Sequence, residues 1–228
     1  LDNRLEWALS VLETFGPELI VVSVGADATV SRREFFVRRT YDFGPTKDWS
    51  VAGPGGEYLR ARQNSDALGE LSGGGAQTFL DFLIDDVRPV LQAEYRMDPD
   101  DHALVGSSAG GTFVAYALFA RPGSFARYLC GSPSLYVGDG IIFKLEQQYA
   151  AEHVDLPARV FFGAGEAEIT QDYVAAVGCV SSMARLAETL SFRGYPSLRL
   201  TVKIFPGETH ESKYLPFFSW SVRSVWTN

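Results

Sequence analysis

The sequence predicts an α/β fold in which a mostly parallel central sheet carries helices on both faces. Two observations predict it. From about residue 102 onward, short apolar runs of strand length alternate with segments of helical period, and no internal repeat or linker divides the chain. Such alternation implies right-handed crossovers between parallel strands, with functional loops at the strands' C-terminal ends. The chain of 228 residues, 46% hydrophobic, also holds enough apolar material for one core, so 1–228 reads as a single domain.

Taken in order, Leu5, Ala8, Leu9 and Leu12 follow helical spacing. Gly16 and Pro17 end that pattern before the apolar run Leu19 to Val24, which reads as a buried strand. From Gly25 to Gly75 the periodicity dissolves into a stretch rich in Gly, Pro, Arg and Asp, longer than an ordinary connection and so read as a functional or disordered loop. Phe79, Phe82, Leu83, Val87, Val90 and Leu91 restore the helical period, with Pro89 as a kink or late break. The remaining elements are a strand at 102–106, a helix at 109–120, a strand at 126–130, a helix at 140–150 and a strand at 158–163. A helix at 172–193, a strand at 198–205 and a helix at 214–226 complete the chain.

Composition excludes several functions. The net charge of −8 opposes the attraction that supplies most non-specific nucleic-acid affinity, so no nucleic-acid partner is expected. No apolar run reaches the ~18 residues needed to span a bilayer, and Leu1 to Ser10 lacks the order of a signal peptide, so the chain reads as soluble with no membrane partner. Leu1 is not an initiator methionine. The expected location is cytoplasmic, or periplasmic if a targeting signal precedes Leu1. Cys130 and Cys179 are too few for a disulfide framework and lack metal-site spacing, so both read as buried or spare thiols.

The chemistry centres on Gly106-Ser107-Ser108-Ala109-Gly110, a Gly-x-Ser-x-Gly segment. The motif is short, but a buried strand precedes it and a helix of small and apolar residues follows it. That is the setting of a nucleophile elbow, which makes the predicted fold the α/β-hydrolase fold and Ser108 the candidate nucleophile. The glycines at 106 and 110 are expected to relieve crowding where strand and helix meet. Alanine 109 follows the serine, so its backbone N–H, at the positive end of the helix, is a candidate oxyanion donor.

A serine hydroxyl needs a base, and only three histidines are available. His102 lies about six residues, or ~20 Å, down the same strand from Ser108. His153 precedes a strand and so belongs to the wrong edge of a parallel sheet. His210 alone follows a strand, in the loop Pro206-Gly207-Glu208-Thr209-His210, and is the candidate base. In this fold an acid lies between serine and histidine in chain order. Gly163-Ala164-Gly165-Glu166-Ala167-Glu168 follows the intervening strand, and either Glu166 or Glu168 can serve, whereas Asp172 belongs to the next helix.

Other segments carry less. Gly73-Gly74-Gly75 lacks the lysine and hydroxyl of a phosphate-binding loop and reads as a flexible start to a helix. Asp98-Pro99-Asp100-Asp101 lacks the ligand spacing of a calcium loop and reads as a turn. Neither metal nor cofactor is expected. Arg32, Arg33, Arg38 and Arg39 form a basic cluster in an acidic chain, and Arg38 or Arg39 is a candidate for holding an anionic substrate group.

Three segments, GSSAGG at 106–111, GSPSLY at 131–136 and RTYDFGP at 39–45, resemble the putative esterase family that includes enterochelin esterase. The resemblance implies hydrolysis of a carboxylic ester through an acyl-serine, with a catecholate siderophore trilactone among the candidate substrates. Feruloyl or acetyl esters and S-formylglutathione-type thioesters are the alternatives, and a non-catalytic binding module is the rival of another class. Matched to the family pattern are Arg39 and Asp42, Ser108, Ser132 to Ser134, Gly165 to Glu168, and His210. That pattern places the acid at Glu168 rather than Glu166. Gly44 stands where the pattern prefers threonine, and Tyr136 where it often has tryptophan. Leu1-Asp2-Asn3 resembles the end of a Leu-Asp-Gly strand, which implies that further N-terminal strands precede this chain and that Asn3 or Arg4 supplies the second oxyanion donor.

Overall fold

The computed structural model describes residues 16–25, 29–48, 50 and 72–226. Among them, four strands form one sheet: β1 (Ala103–Ser107), β2 (Arg127–Gly131), β3 (Arg159–Gly165) and β4 (Arg199–Phe205). They lie in chain order and every pair is parallel. Ser107 stands opposite Gly131, and Gly131 opposite Gly163. All four C-terminal ends therefore open on one edge.

The helices are α1 (Arg32–Phe43), α2 (Ala76–Asp81), α3 (Arg88–Glu94), α4 (Ala109–Ala120), α5 (Val137–Glu152), α6 (Asp172–Ala176), α7 (Cys179–Arg193) and α8 (Tyr214–Trp226). Alternate residues of β2 and β3 serve opposite faces, as expected of parallel strands covered on both sides. Tyr128, Cys130, Val160 and Phe162 join the larger core with residues of α4, α5 and α7. Leu129 and Phe161 turn the other way, onto Phe217, Phe218 and Val222 of α8. Helix α4 is buried almost all round, from Gly110 to Phe119, which is why its sequence lacks a polar face.

The helix predicted around Phe79 to Leu91 is present, with Pro89 in the first turn of α3. Proline lacks an N–H and crowds the carbonyl four residues back. The chain accommodates it through a π-helical stretch, Phe82–Val87, after which Arg88 N–H bonds to Leu83 O.

Four expectations need correction. Among the described residues the run Leu19 to Val24 pairs with no strand, and Ile20 and Val24 are 47% and 46% exposed. It lines, with Leu83, Val105 and Phe218, an apolar cleft of about 330 Å³ beside β1. Continuous apolar character marks a strand only where a neighbour supplies its hydrogen bonds. Second, the long loop contains α1, whose start is fixed by Ser31: its hydroxyl accepts the Glu34 N–H while the Glu34 carboxylate accepts the Ser31 N–H. Third, the helix expected at 172–193 is two helices, because Gly178 takes a left-handed conformation with φ 66°. A side chain there would meet the Tyr136 ring at 2.7 Å. Fourth, the glycines at 73–75 are packed rather than flexible, since a Cβ at Gly73 would lie 2.3 Å from Thr46 O. The helix predicted at 5–12 lies outside the described residues. None of the described helices is long and apolar enough to cross a membrane.

Candidate active site

Strand β1 delivers Ser107 to the sheet edge, and the next residue turns the chain sharply into α4. Ser108 has φ 61° and ψ −126°, a conformation costly for any residue with a side chain. Two bonds hold it: Ser108 N–H donates to Gly131 O at 2.8 Å, and its carbonyl accepts Thr112 N–H at 3.0 Å. The turn brings strand and helix backbones close together. A Cβ at Gly106 would lie 2.2 Å from Gly110 O, and one at Gly111 would lie 2.4 Å from Gly131 O. At Gly110 a Cβ would meet only Phe43, at 3.8 Å. The crowded glycines are therefore 106 and 111, not 106 and 110. Ala109, the candidate oxyanion donor, is the first residue of α4. Asn3 and Arg4 lie outside the described residues.

His210 leaves the end of β4 on the same edge, and its Nδ1 lies 3.0 Å from Glu168 Oε2. Glu168 follows β3 and is 1% exposed. Its other oxygen accepts Ser132 Oγ–H at 2.6 Å and Gly165 N–H at 2.7 Å. Burial pushes this carboxyl upward, but the hydrogen bonds from His210, Ser132 and Gly165, with the nearby charge of Lys213, hold it below the ordinary carboxylate value. Glu166 points elsewhere. It is exposed and accepts Gly207 N–H at 2.8 Å, bracing the turn after β4.

The loops after β3 and β4 are tied together around this pair. Ala167 N–H donates to Glu208 O at 3.0 Å, and His210 N–H to Gln171 Oε1 at 3.1 Å. Ser132, which begins the loop after β2, has φ 42° and is fully buried. Its neighbour Ser134 is fixed to the elbow helix, since Ser134 N–H donates to Thr112 Oγ1 at 2.9 Å. Sequence reasoning noted Ser132 only as part of a motif and missed Gln171, Ser107 and Lys213. The position of Ser132 immediately after a buried strand was a usable signal; nothing local marked the others.

The excluded histidines lie at the opposite edge. His102 precedes β1 and its carbonyl accepts Ala126 N–H, while His153 follows α5 and stacks on Tyr149 with ring centroids 4.1 Å apart. The arginine cluster is split by the helix. Arg39 Nη2 donates to Ser107 O at 3.2 Å, and its guanidinium lies over Phe43. Burial lowers its pKa, but a guanidinium is too basic to lose its proton in a protein. Arg38 is exposed, and its charge acts on its helix neighbours Glu34 and Asp42.

Donor atoms of Glu168, Cys179 and His210 all lie within 4.8 Å of one another. Both carboxylate oxygens already accept hydrogen bonds, and burial pushes the Cys179 thiol up, away from the thiolate that a metal would need. Glu168 and His210 are a hydrogen-bonded pair, and with the Cys179 thiol beside them they make a poor metal cage. Cys130 is likewise free and buried.

Serine on a strained elbow, and an imidazole paired with a buried carboxylate on the same sheet edge, define the α/β-hydrolase class. The sequence matches the family described as "Putative esterase" over residues 55–198, and the chain belongs to that family. It is 28% identical over 141 residues to the ferri-bacillibactin esterase BesA of Bacillus subtilis, covering 61% of this chain and 47% of that protein. It is 34% identical over 119 residues to a siderophore enterobactin esterase of Emericella nidulans, covering 51% of this chain and 36% of that one. The matches thus span less than half of either relative. The siderophore hydrolase EstA of Aspergillus nidulans superposes with a TM-score of 0.76 at 23% identity, over 97% of this chain and 79% of that one, which shows the shared fold.

Proposed function

We propose that this chain is a serine esterase that hydrolyses a small-molecule siderophore ester through an acyl-serine intermediate. The observation that carries the reading is the 3.0 Å bond between His210 Nδ1 and the buried Glu168 carboxylate, on the edge where the elbow presents Ser108. With Nδ1–H held by the carboxylate, Nε2 is the free basic nitrogen. It takes the Ser108 proton as Oγ bonds to the ester carbonyl, and the carbonyl electron pair moves onto oxygen, next to the Ala109 N–H. When that pair returns, the ester C–O bond breaks and the imidazolium protonates the leaving alkoxide. Water, deprotonated by the same nitrogen, then releases the acid and restores Ser108.

The siderophore substrate is supported by the relatives named as a ferri-bacillibactin esterase and a siderophore enterobactin esterase. A panel of ferric and metal-free catecholate trilactones, feruloyl and acetyl esters and glutathione thioesters tests it. Turnover of the trilactones at least ~100-fold above the others is expected; turnover of thioesters alone would sink the siderophore reading.

Arg39 is the better candidate of the two arginines for an anionic substrate group. Its replacement by alanine should raise KM for acidic esters about tenfold and that for neutral esters much less, the loss of one charge-assisted hydrogen bond. Arg38→Ala should change neither. Equal rises for both ester types would assign Arg39 only to holding the Ser107 carbonyl.

A further inference from the structure

One buried charge stands beneath the site without a part in the chemistry above. Lys213 lies three residues after His210, at the start of α8, where its backbone N–H donates to Thr209 O at 3.1 Å. Its side chain is fully buried. The ammonium donates to Ser107 Oγ, at the end of β1, at 2.7 Å. Ser107 is the residue immediately before Ser108, so a single side chain joins the histidine loop to the elbow.

Three titratable groups face this ammonium: Glu168 from the turn after β3, Cys179 from the start of α7, and Glu211 from its own loop. The ring of Phe217 lies 5.6 Å away. Burial lowers the Lys213 pKa to about 8, against the pull of those groups. An apolar side chain of similar size would fill the space without that desolvation cost, and such replacements of buried charges often stabilise proteins. A cation kept there at a cost to folding points to a role in the reaction.

Resting on the esterase reading, we infer that Lys213 is a positioning residue: it ties Ser107 to the His210 loop, fixing Ser108 against His210, and its charge faces the Glu168 carboxylate that holds the imidazole. The tie and the charge are separable. Lys213→Met removes both, whereas Ser107→Ala removes the tie and leaves the charge.

The experiment compares the parent chain, Lys213→Met and Ser107→Ala in thermal melting, kcat and KM on one ester, and the pH profiles of kcat/KM and of fluorophosphonate labelling at Ser108. Lys213→Met is expected to melt no lower than the parent near pH 7, with kcat at least ~10-fold lower and KM within about twofold. Its acid limb should move to higher pH, because the Glu168 carboxylate, relieved of a neighbouring cation, takes up a proton more readily. Ser107→Ala should lose kcat with its acid limb unmoved. A folded Lys213→Met with the kcat and acid limb of the parent would overturn the inference, as would a loss that merely follows a fall in melting temperature. Should Lys213→Met not fold, Ser107→Ala decides: unchanged kcat there rules out the tie. A parent that neither turns over esters nor labels would overturn the esterase reading itself, which an active parent beside a parent-like Lys213→Met would leave standing.

Discussion

Replacing Ser108 or His210 with alanine is expected to lower kcat by at least ~10⁴-fold, and the double variant should be little slower than either single one. The two groups perform one step, since the hydroxyl is not a nucleophile until the imidazole takes its proton. Folding should be largely preserved. The elbow strain is set by the backbone contacts at Gly106 and Gly111, and alanine at 108 keeps the Ser108 N–H and carbonyl bonds. Steady-state rates on an activated ester check this, and losses that multiply in the double variant would mean that the two side chains act in separate steps.

The second large effect concerns the acid. Glu168→Gln should lower kcat by at least ~10²-fold with little change in KM, because an amide presenting N–H to His210 Nδ1 opposes the tautomer that leaves Nε2 free. Glu166→Gln should cost less than about threefold, since that carboxylate only caps Gly207 N–H at an exposed turn. The reverse ranking would move the acid to Glu166, and two mild variants would leave Ser108 and His210 working as a pair. Glu168 also makes a pH-dependent contribution to stability. Its carboxyl is held below its ordinary value of 4.5, so the native state keeps it ionised where the unfolded chain would protonate it. That stability is present above pH 4.5 and is lost as pH falls through the native value. The difference in melting temperature between parent and Glu168→Gln should therefore shrink on acidification.

The strand and helix alternation from 103 to 226 was legible because parallel strands buried on both faces are short continuous apolar runs, and β2 and β3 are such runs. The same rule misled at Leu19 to Val24, where an apolar run has no hydrogen-bonding neighbour among the described residues. Helix α1 was hidden by its composition. Its surface is mostly exposed and basic, with Thr40 its one buried residue, so no apolar stripe announces it. The signal that was present is local: Ser31 and Glu34 stand at the spacing of a capping box. The break at Gly178 was marked in the sequence only by a lone glycine; its left-handed φ of 66° and the Tyr136 ring beside it depend on the fold.

At the site, Ser108 and His210 could be chosen from sequence because topology puts strand ends on one edge and elimination left one histidine there. Spacing alone left Glu166 and Glu168 tied. The structure separates them by burial: one carboxylate is enclosed by His210, Ser132 and Gly165, the other faces solvent. The supporting contacts could not be read, since Lys213 meets Ser107 across 106 residues of chain and Gln171 meets His210 across 39. Such pairings depend on the fold being formed.

The central claim, that Ser108 is the nucleophile, is tested most directly by treating the folded protein with a fluorophosphonate at neutral pH and locating the adduct by peptide mass spectrometry. One equivalent is expected, on Ser108, and none on the His210→Ala variant. A folded protein that takes up no label, or carries it on Ser107 or Ser132 instead, would contradict the account.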